Sequence, residues 1–266
     1  MTRWYKKEDI VAPRDKAHMA GVTITVWKEK MVWNEGSKNI PHQIVQAVTT
    51  SVEWLDHAIN QLTVPNYLDA KSSLAKIYFH VYRDVIKAPP VNPQLSEKAR
   101  ADQQKELEFS VRMRMNDLRM ILTNIKIGLS KDQIIKVNDA HTIKDGEKKH
   151  YLGLVKAAPG GKEYGKITIG FRAFREGHNL PRIVIHEAAH KFTLATDGKN
   201  TGGYWKQDFS DYLDPEAMNH VACLNNADSH ALFVWAMNIG QGGAPEISSQ
   251  FAEGMENRWR KHLGGA

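Results

Sequence analysis

Pro181-Arg-Ile-Val-Ile-His-Glu-Ala-Ala-His-Lys-Phe-Thr-Leu-Ala-Thr-Asp197 is the stretch on which the reading of this chain turns. Its apolar residues recur at helical spacing, and Pro181 suits a first helical turn, where its missing N–H costs nothing. Positions i and i+4 share one face of a helix. His186 and His190 therefore point the same way, about one turn apart. Two imidazoles so placed can occupy two corners of a tetrahedral Zn²⁺ site. Glu187 is rotated by about 100° from His186, so it reaches a water on the metal rather than the metal itself. That is the chemistry of a general base in metal-assisted hydrolysis. Twelve histidines raise the odds of an accidental His-Glu-x-x-His. The flanking Ile183, Val184, Ile185, Ala188, Ala189 and Phe192 predict a buried helix, however, and ionisable groups there are costly unless paired or metal-bound.

A hydrolytic zinc site usually takes three protein ligands and keeps one position open. A metzincin-type continuation needs a glycine at position 193 and a histidine at position 196, whereas the chain has Thr193 and Thr196. Two candidates remain. Glu216 would come from a downstream helix. Asp197 would come from a turn at the end of the same helix.

The motifs resemble those of the aspzincin metallopeptidases, the group of deuterolysin and the lysine-specific metallo-endopeptidases. The resemblance is carried by His186-Glu187-Ala-Ala-His190, Thr196-Asp197, Tyr204 and Asn226-Ala227-Asp228-Ser229. The strand Ile167-Thr-Ile-Gly-Phe171 and the helix around Ile44 and Ala47 also fit, so it covers about residues 38–240. The resemblance implies one Zn²⁺ per chain held by His186, His190 and Asp197, with Glu187 as general base. It also implies that Tyr204 stabilises the oxyanion, a role suited to a phenol donor, and that Asp228 contacts substrate. The family keeps its tyrosine about three residues after the aspartate; here Tyr204 follows Gly198-Lys-Asn-Thr-Gly-Gly203, seven residues on. In lysine-specific members a second acidic group follows one turn after the first, but Ala231 stands here, so lysine preference does not carry over. Asp228 equally suits a helix cap or a bond to the zinc helix.

The 266 residues suit one large domain or two small ones, and 42% hydrophobic residues supply a core. The net charge of +6 is mildly basic and scattered, apart from Arg112, Arg114 and Arg119. No nucleic-acid motif accompanies it, so a solvated surface is expected. A single cysteine, Cys223, excludes an internal disulfide and a cysteine zinc cluster. The longest strongly apolar run, from Ala231 to Met237, is too short to span a membrane. Residues 1–10 hold no apolar core of a secretory signal. The expectation is a soluble protein, cytoplasmic or exported by a route without a cleaved signal.

Residues 1–35 read as an N-terminal extension carrying one strand, Gly21-Val-Thr-Ile-Thr-Val-Trp27. Residues 36–266 read as the metallopeptidase-like domain. Pro41 opens an amphipathic helix over 41–62 with Val45, Val48, Val52, Leu55, Ile59 and Leu62 as its stripe. A second helix is expected over 68–86, a stiff loop over 88–93, and a third helix over 95–125, buried through Leu107, Val111, Leu118, Ile121 and Ile125. The Arg and Met residues between these read as solvated face and gap filling. Residues 133–137 form a short apolar run, and 139–149 look polar and turn-like. Residues 151–156 and 166–171 predict a hairpin through Pro159-Gly160-Gly161, whose edge can accept an extended peptide as an added strand. Asp214-Pro215 starts another helix, and Asn226 to Ser229 open a last apolar one.

The expected fold is therefore α+β: a mostly helical, zincin-like domain with a small antiparallel sheet before the His-Glu-x-x-His helix. The expected activity is zinc-dependent hydrolysis of a peptide or protein. The alternative is a zinc-binding effector, using the fold for partner binding or delivered, toxin-like, without a cleaved signal to another cell's proteins.

Overall fold

A computed structural model describes residues 5–12, 22–28, 40–62, 96–131, 133–138, 141–144, 147–150, 152–157, 164–175, 179–197 and 220–238. The helix expected over 68–86, the loop over 88–93, Glu216, Tyr204 and the helix start at Asp214 lie outside the described residues. In chain order the elements are β1 (Tyr5–Ala12), β2 (Val22–Lys28), α1 (Ile40–Gln61), α2 (Glu97–Ser130), β3 (Gln133–Asn138), β4 (His141–Lys144), β5 (Glu147–His150), β6 (Gly153–Ala157), β7 (Tyr164–Gly170), α3 (Phe171–Arg175), α4 (Leu180–Thr193), α5 (His220–Leu224) and α6 (Ala227–Asn238). Helix predominates among the described residues, and the class is α+β.

The chain divides into two compact units. One comprises Met1–Leu55 and Asn124–Leu194, the other Asp56–Thr123 and Ala195–Ala266. The first holds a five-stranded sheet in the order β1-β2-β3-β7-β6. The antiparallel sheet expected from the sequence is corrected here, because the sheet is mixed. β1–β2 and β6–β7 run antiparallel, whereas β2–β3 and β3–β7 are parallel. Adjacent parallel strands need a long crossover, and the chain supplies one by running through α1 and α2 between β2 and β3. Strand periodicity carries no record of that choice, since either pairing buries the same alternate residues. In β3 and β7, Ile135 pairs with Ile167 and Val137 with Ile169, and all four are buried. Phe171, expected at the end of a strand, opens α3 instead.

Residues 141–150 correct a second expectation. Where a polar turn is expected, His141–Lys144 pairs antiparallel with Glu147–His150 as a separate two-stranded ribbon. Its strands lack the apolar alternation that marks a half-buried strand. The legible signal is Asp145-Gly146 between them, a dipeptide suited to a two-residue hairpin connection.

Helix α1 buries Val48, Val52, Leu55 and Ile59 of its expected stripe, whereas Val45 and Leu62 are half-buried. Ile44, Ala47, Val48, Val52 and Leu55 are buried in the first unit, while Ala58 and Ile59 are buried in the second. Ser51 interrupts the apolar run for a reason. Its hydroxyl lies between two carbonyls, 2.7 Å from Ala47 O and 3.0 Å from Pro181 O, and shares its proton between them. It thereby ties the start of α4 to α1. Farther along α4, Phe192 meets Gly128 of α2. A Cβ at Gly128 would lie 2.5 Å from Phe192 Cδ1 and Cδ2, so the close approach requires glycine. Helix α4 also packs on β7 and β6. In the second unit, the described core is built from Met115, Leu118, Leu122, Cys223, Ala227, Ala231, Leu232, Phe233 and Val234. No described helix is long and apolar enough to cross a membrane.

Candidate metal centre

Local chemistry defines α4 at both ends. Asn179 is its N-cap, in extended conformation, and its side-chain oxygen accepts from Arg182 N at 3.1 Å. Pro181 follows in the first turn, as the sequence predicts. At the other end Thr193 Oγ1 donates to Ala189 O at 2.7 Å. Leu194 then turns the chain with φ 60° and ψ 20°, the left-handed conformation that normally falls to glycine. Among the described residues it is the one non-glycine with positive φ. This turn ends the helix and redirects the backbone only three residues before Asp197.

Burial along α4 separates support from chemistry. Ile183, Val184, Ile185, Ala188 and Ala189 are all buried. His186 and His190 are partly exposed and share one flank. Their Nε2 atoms are 3.1 Å apart, with the rings edge to face at 82°. A tetrahedral ion bound by two nitrogens at about 2.0–2.1 Å would separate them by about 3.3 Å. Asp197 completes the group. One ligand atom each from His186, His190 and Asp197 lies within 4.8 Å of the others, and no other such group occurs among the described residues. Two neutral-capable imidazoles and a carboxylate are a donor set for a divalent metal with N/O preference. The residues present therefore fit a metal ion.

Asp197 is positioned by backbone bonds. Thr196 N donates to Asn225 O at 2.7 Å, and Ala227 N donates to Thr196 O at 3.4 Å, forming an isolated parallel bridge. Asn226, at the centre of that bridge, is fully buried. Its Oδ1 accepts from Ser229 N at 2.9 Å and from Ser229 Oγ at 3.4 Å. Asn226 is thus the N-cap of α6. Of the roles open to Asp228, the cap is taken by Asn226, two residues earlier; Asp228 stands half-buried in the first turn of α6.

Glu187 follows His186 by one residue, a step of about 100° around the helix. It is 4% exposed, among the most buried charged residues described. Its nearest constraint is β6, the last strand of the sheet. A Cβ on Gly153 would come within 2.7 Å of Glu187 Cγ and 2.8 Å of Cδ. A glycine there lets the β6 backbone lie directly against the carboxylate-bearing side chain. Nothing in the sequence marks Gly153 for this role; a glycine opening a strand is the only trace.

Lys191 lies beside His190 and is held below its ordinary value of 10.5, first by burial and then by the charge of Lys166. Its ammonium stands 5.3 Å from the centroid of the Phe192 ring. In the second unit, His230 is fully buried, and its Nε2 lies 2.8 Å from Leu224 O, so this histidine serves the α5–α6 junction. Comparison with protein-family models, with curated proteins and with solved structures finds no match to this chain.

Proposed function

We propose that the chain is a zinc metallopeptidase of aspzincin type, with His186, His190 and Asp197 as the metal ligands and Glu187 as the general base. The observation that carries the reading is the convergence of two imidazoles one helical turn apart with a carboxylate from beyond the helix. A buried glutamate between the two histidines in sequence supplies the base. When bound, Zn²⁺ acidifies a water and polarises the scissile carbonyl.

The chain's own residues divide the remaining work. His186 and His190 must be neutral at the nitrogens that face the ion, so protons compete with metal at the site. Glu187 takes a proton from the attacking water and returns it to the leaving amine. Its low exposure keeps bulk water from screening that transfer. The edge of β6 beside Glu187 suits an extended peptide, which would pair as an added strand and lay its carbonyl along the site. Tyr204 is the proposed oxyanion donor, and Asp228 a proposed substrate contact, both from the aspzincin resemblance.

The test is Glu187→Gln, measured for metal content and for hydrolysis of unfolded protein and peptide libraries. The expected result is one zinc per chain in both proteins, with turnover reduced about 10²–10⁴-fold in the variant. Wild-type protein that holds zinc and cleaves nothing would favour the effector reading. A variant with zinc and full turnover would remove Glu187 from the mechanism.

A further inference from the structure

Helix α2 is apolar on two opposite sides. Its inward side carries Met115, Leu118, Leu122, Ile125 and Leu129, each buried. Its outward side carries Phe109, Met113, Met120 and Ile127, exposed by 63%, 46%, 60% and 48%. At about 100° per residue, these four fall within about 40° of one another and about 180° from the inward group. Met113, Met120 and Ile127 are spaced by seven, and Phe109 precedes Met113 by four. A strict seven-residue apolar repeat is the spacing of a seam between two helices, not of a solvated face. The reading of these methionines as gap filling holds for Met115 and fails for Met113 and Met120.

The charges beside the stripe distinguish its occupants. Lys105, Arg112, Arg119 and Lys126 form a row along one flank at the same spacing of seven. The opposite flank carries Ser110, Asp117 and Asn124. An anionic membrane favours basic residues on both flanks of an apolar stripe; Asp117, and Asp102 and Glu106 toward the N-terminal end, oppose that. Antiparallel pairing with a second copy would set the basic row against itself. Parallel pairing sets the basic flank of each helix against the other flank of its partner. It then joins Arg112 to Asp117 twice by symmetry and Arg119 to Asn124. A two-fold axis along the seam closes the assembly at two chains.

We infer that the outward face of α2, from Phe109 to Ile127, is a parallel self-association surface, whose occupant is α2 of a second copy. Asn116 and Thr123 alternate with the apolar residues in the seam, so the pairing is reversible and fixed in register rather than permanent.

The experiment uses the full chain. In a parallel pair in this register, position 120 faces position 120. Met120→Cys is expected to give a disulfide-linked dimer under mild oxidation. Glu53→Cys, on the exposed side of α1, and the wild type, whose single Cys223 is buried, are expected to stay monomeric on denaturing gels. Sedimentation of the wild type at high micromolar concentration should show a monomer–dimer equilibrium. Met120→Glu should raise the dimer Kd by about tenfold or more and leave the melting temperature unchanged at concentrations low enough for the wild type to be monomeric, since the side chain is exposed in the single chain. A wild type that stays monomeric, or a dimer indifferent to Met120→Glu, overturns the inference. A monomeric wild type that Met120→Glu destabilises would give the stripe to another segment of the same chain. A monomer that co-sediments with anionic vesicles through these residues would give it to a membrane. Both outcomes reject the proposal.

Discussion

The two helix-borne residues and the loop-borne residue of the candidate metal group are held by different physics. His186 and His190 owe their 3.1 Å approach to helical period alone, within a segment capped at Asn179 and closed at Thr193. Asp197 follows a left-handed turn at Leu194 and a backbone bridge from Thr196 to residues 225–227. The first pair is a local property of the fifteen residues from Asn179 to Thr193. The placement of Asp197 depends on a segment nearly thirty residues farther along. A site divided in this way can keep two ligands in place while its third is displaced, and the contrast is testable.

The largest expected effect is at the ligands themselves. His186→Ala should abolish stoichiometric metal binding and all hydrolysis, measured by elemental analysis after dialysis. Asp197→Ala should weaken zinc by more than about 100-fold, beyond the 10–100-fold typical of groups that only orient a ligand. Zinc retained at full affinity in Asp197→Ala would move the third ligand elsewhere, with Glu216 the first candidate.

A smaller effect is expected at Gly153. An alanine there must displace β6 or Glu187. Turnover should fall by about 10–100-fold, the scale of a misplacement of about 1 Å, while metal content stays at the wild-type level. A fall in metal content instead would show that β6 supports the ligands and not the base.

Asn226→Ala should cost about 1 kcal/mol of stability through loss of the α6 cap and weaken zinc binding by loosening the Thr196 bridge. Asp228→Ala should leave zinc affinity unchanged. Equal loss of zinc affinity in both variants would break the link drawn between the Asn226 cap and the Thr196 bridge.

The smallest effect concerns Lys191. Its folded-state value is lowered, by burial first and Lys166 second. Between that lowered value and 10.5 the unfolded chain binds more protons than the folded one, so this residue's contribution to stability rises with pH through that window. Below the window the penalty is fully present. Lys191→Gln in metal-free protein should therefore melt slightly higher than wild type at neutral pH, and the difference should shrink as the pH rises toward 10.5. An advantage that is constant with pH would mean that packing, not charge, limits Lys191.

Much of this was legible in the residues. The α4 helix, its Pro181 start and the pairing of His186 with His190 follow from spacing. The α1 stripe through Val48, Val52, Leu55 and Ile59 is buried as expected. The strand expected over 21–27 is β2, the short apolar run over 133–137 lies in β3, and the hairpin through Gly160 is β6–β7. The parallel pairing of β2 with β3 was not legible, because alternation tells which face is buried and not which strand lies alongside. Nor was the ribbon at 141–150, whose strands lack apolar alternation. The outward stripe of α2 lay in plain view as Met113, Met120 and Ile127, but exposure is what separates a second seam from gap filling.

The sequence by itself determined the short-range chemistry: two imidazoles on one helical face, a carboxylate out of phase with them, and a proline in the first turn of α4. Helical geometry repeats every few residues, so neighbours in the chain suffice to specify it. Only the tertiary structure decided that Gly153 lies against Glu187 and that the Thr196 backbone is bridged beside Asp197. These contacts join residues far apart in the chain, and their register is set by the packing of buried side chains, which no local pattern encodes.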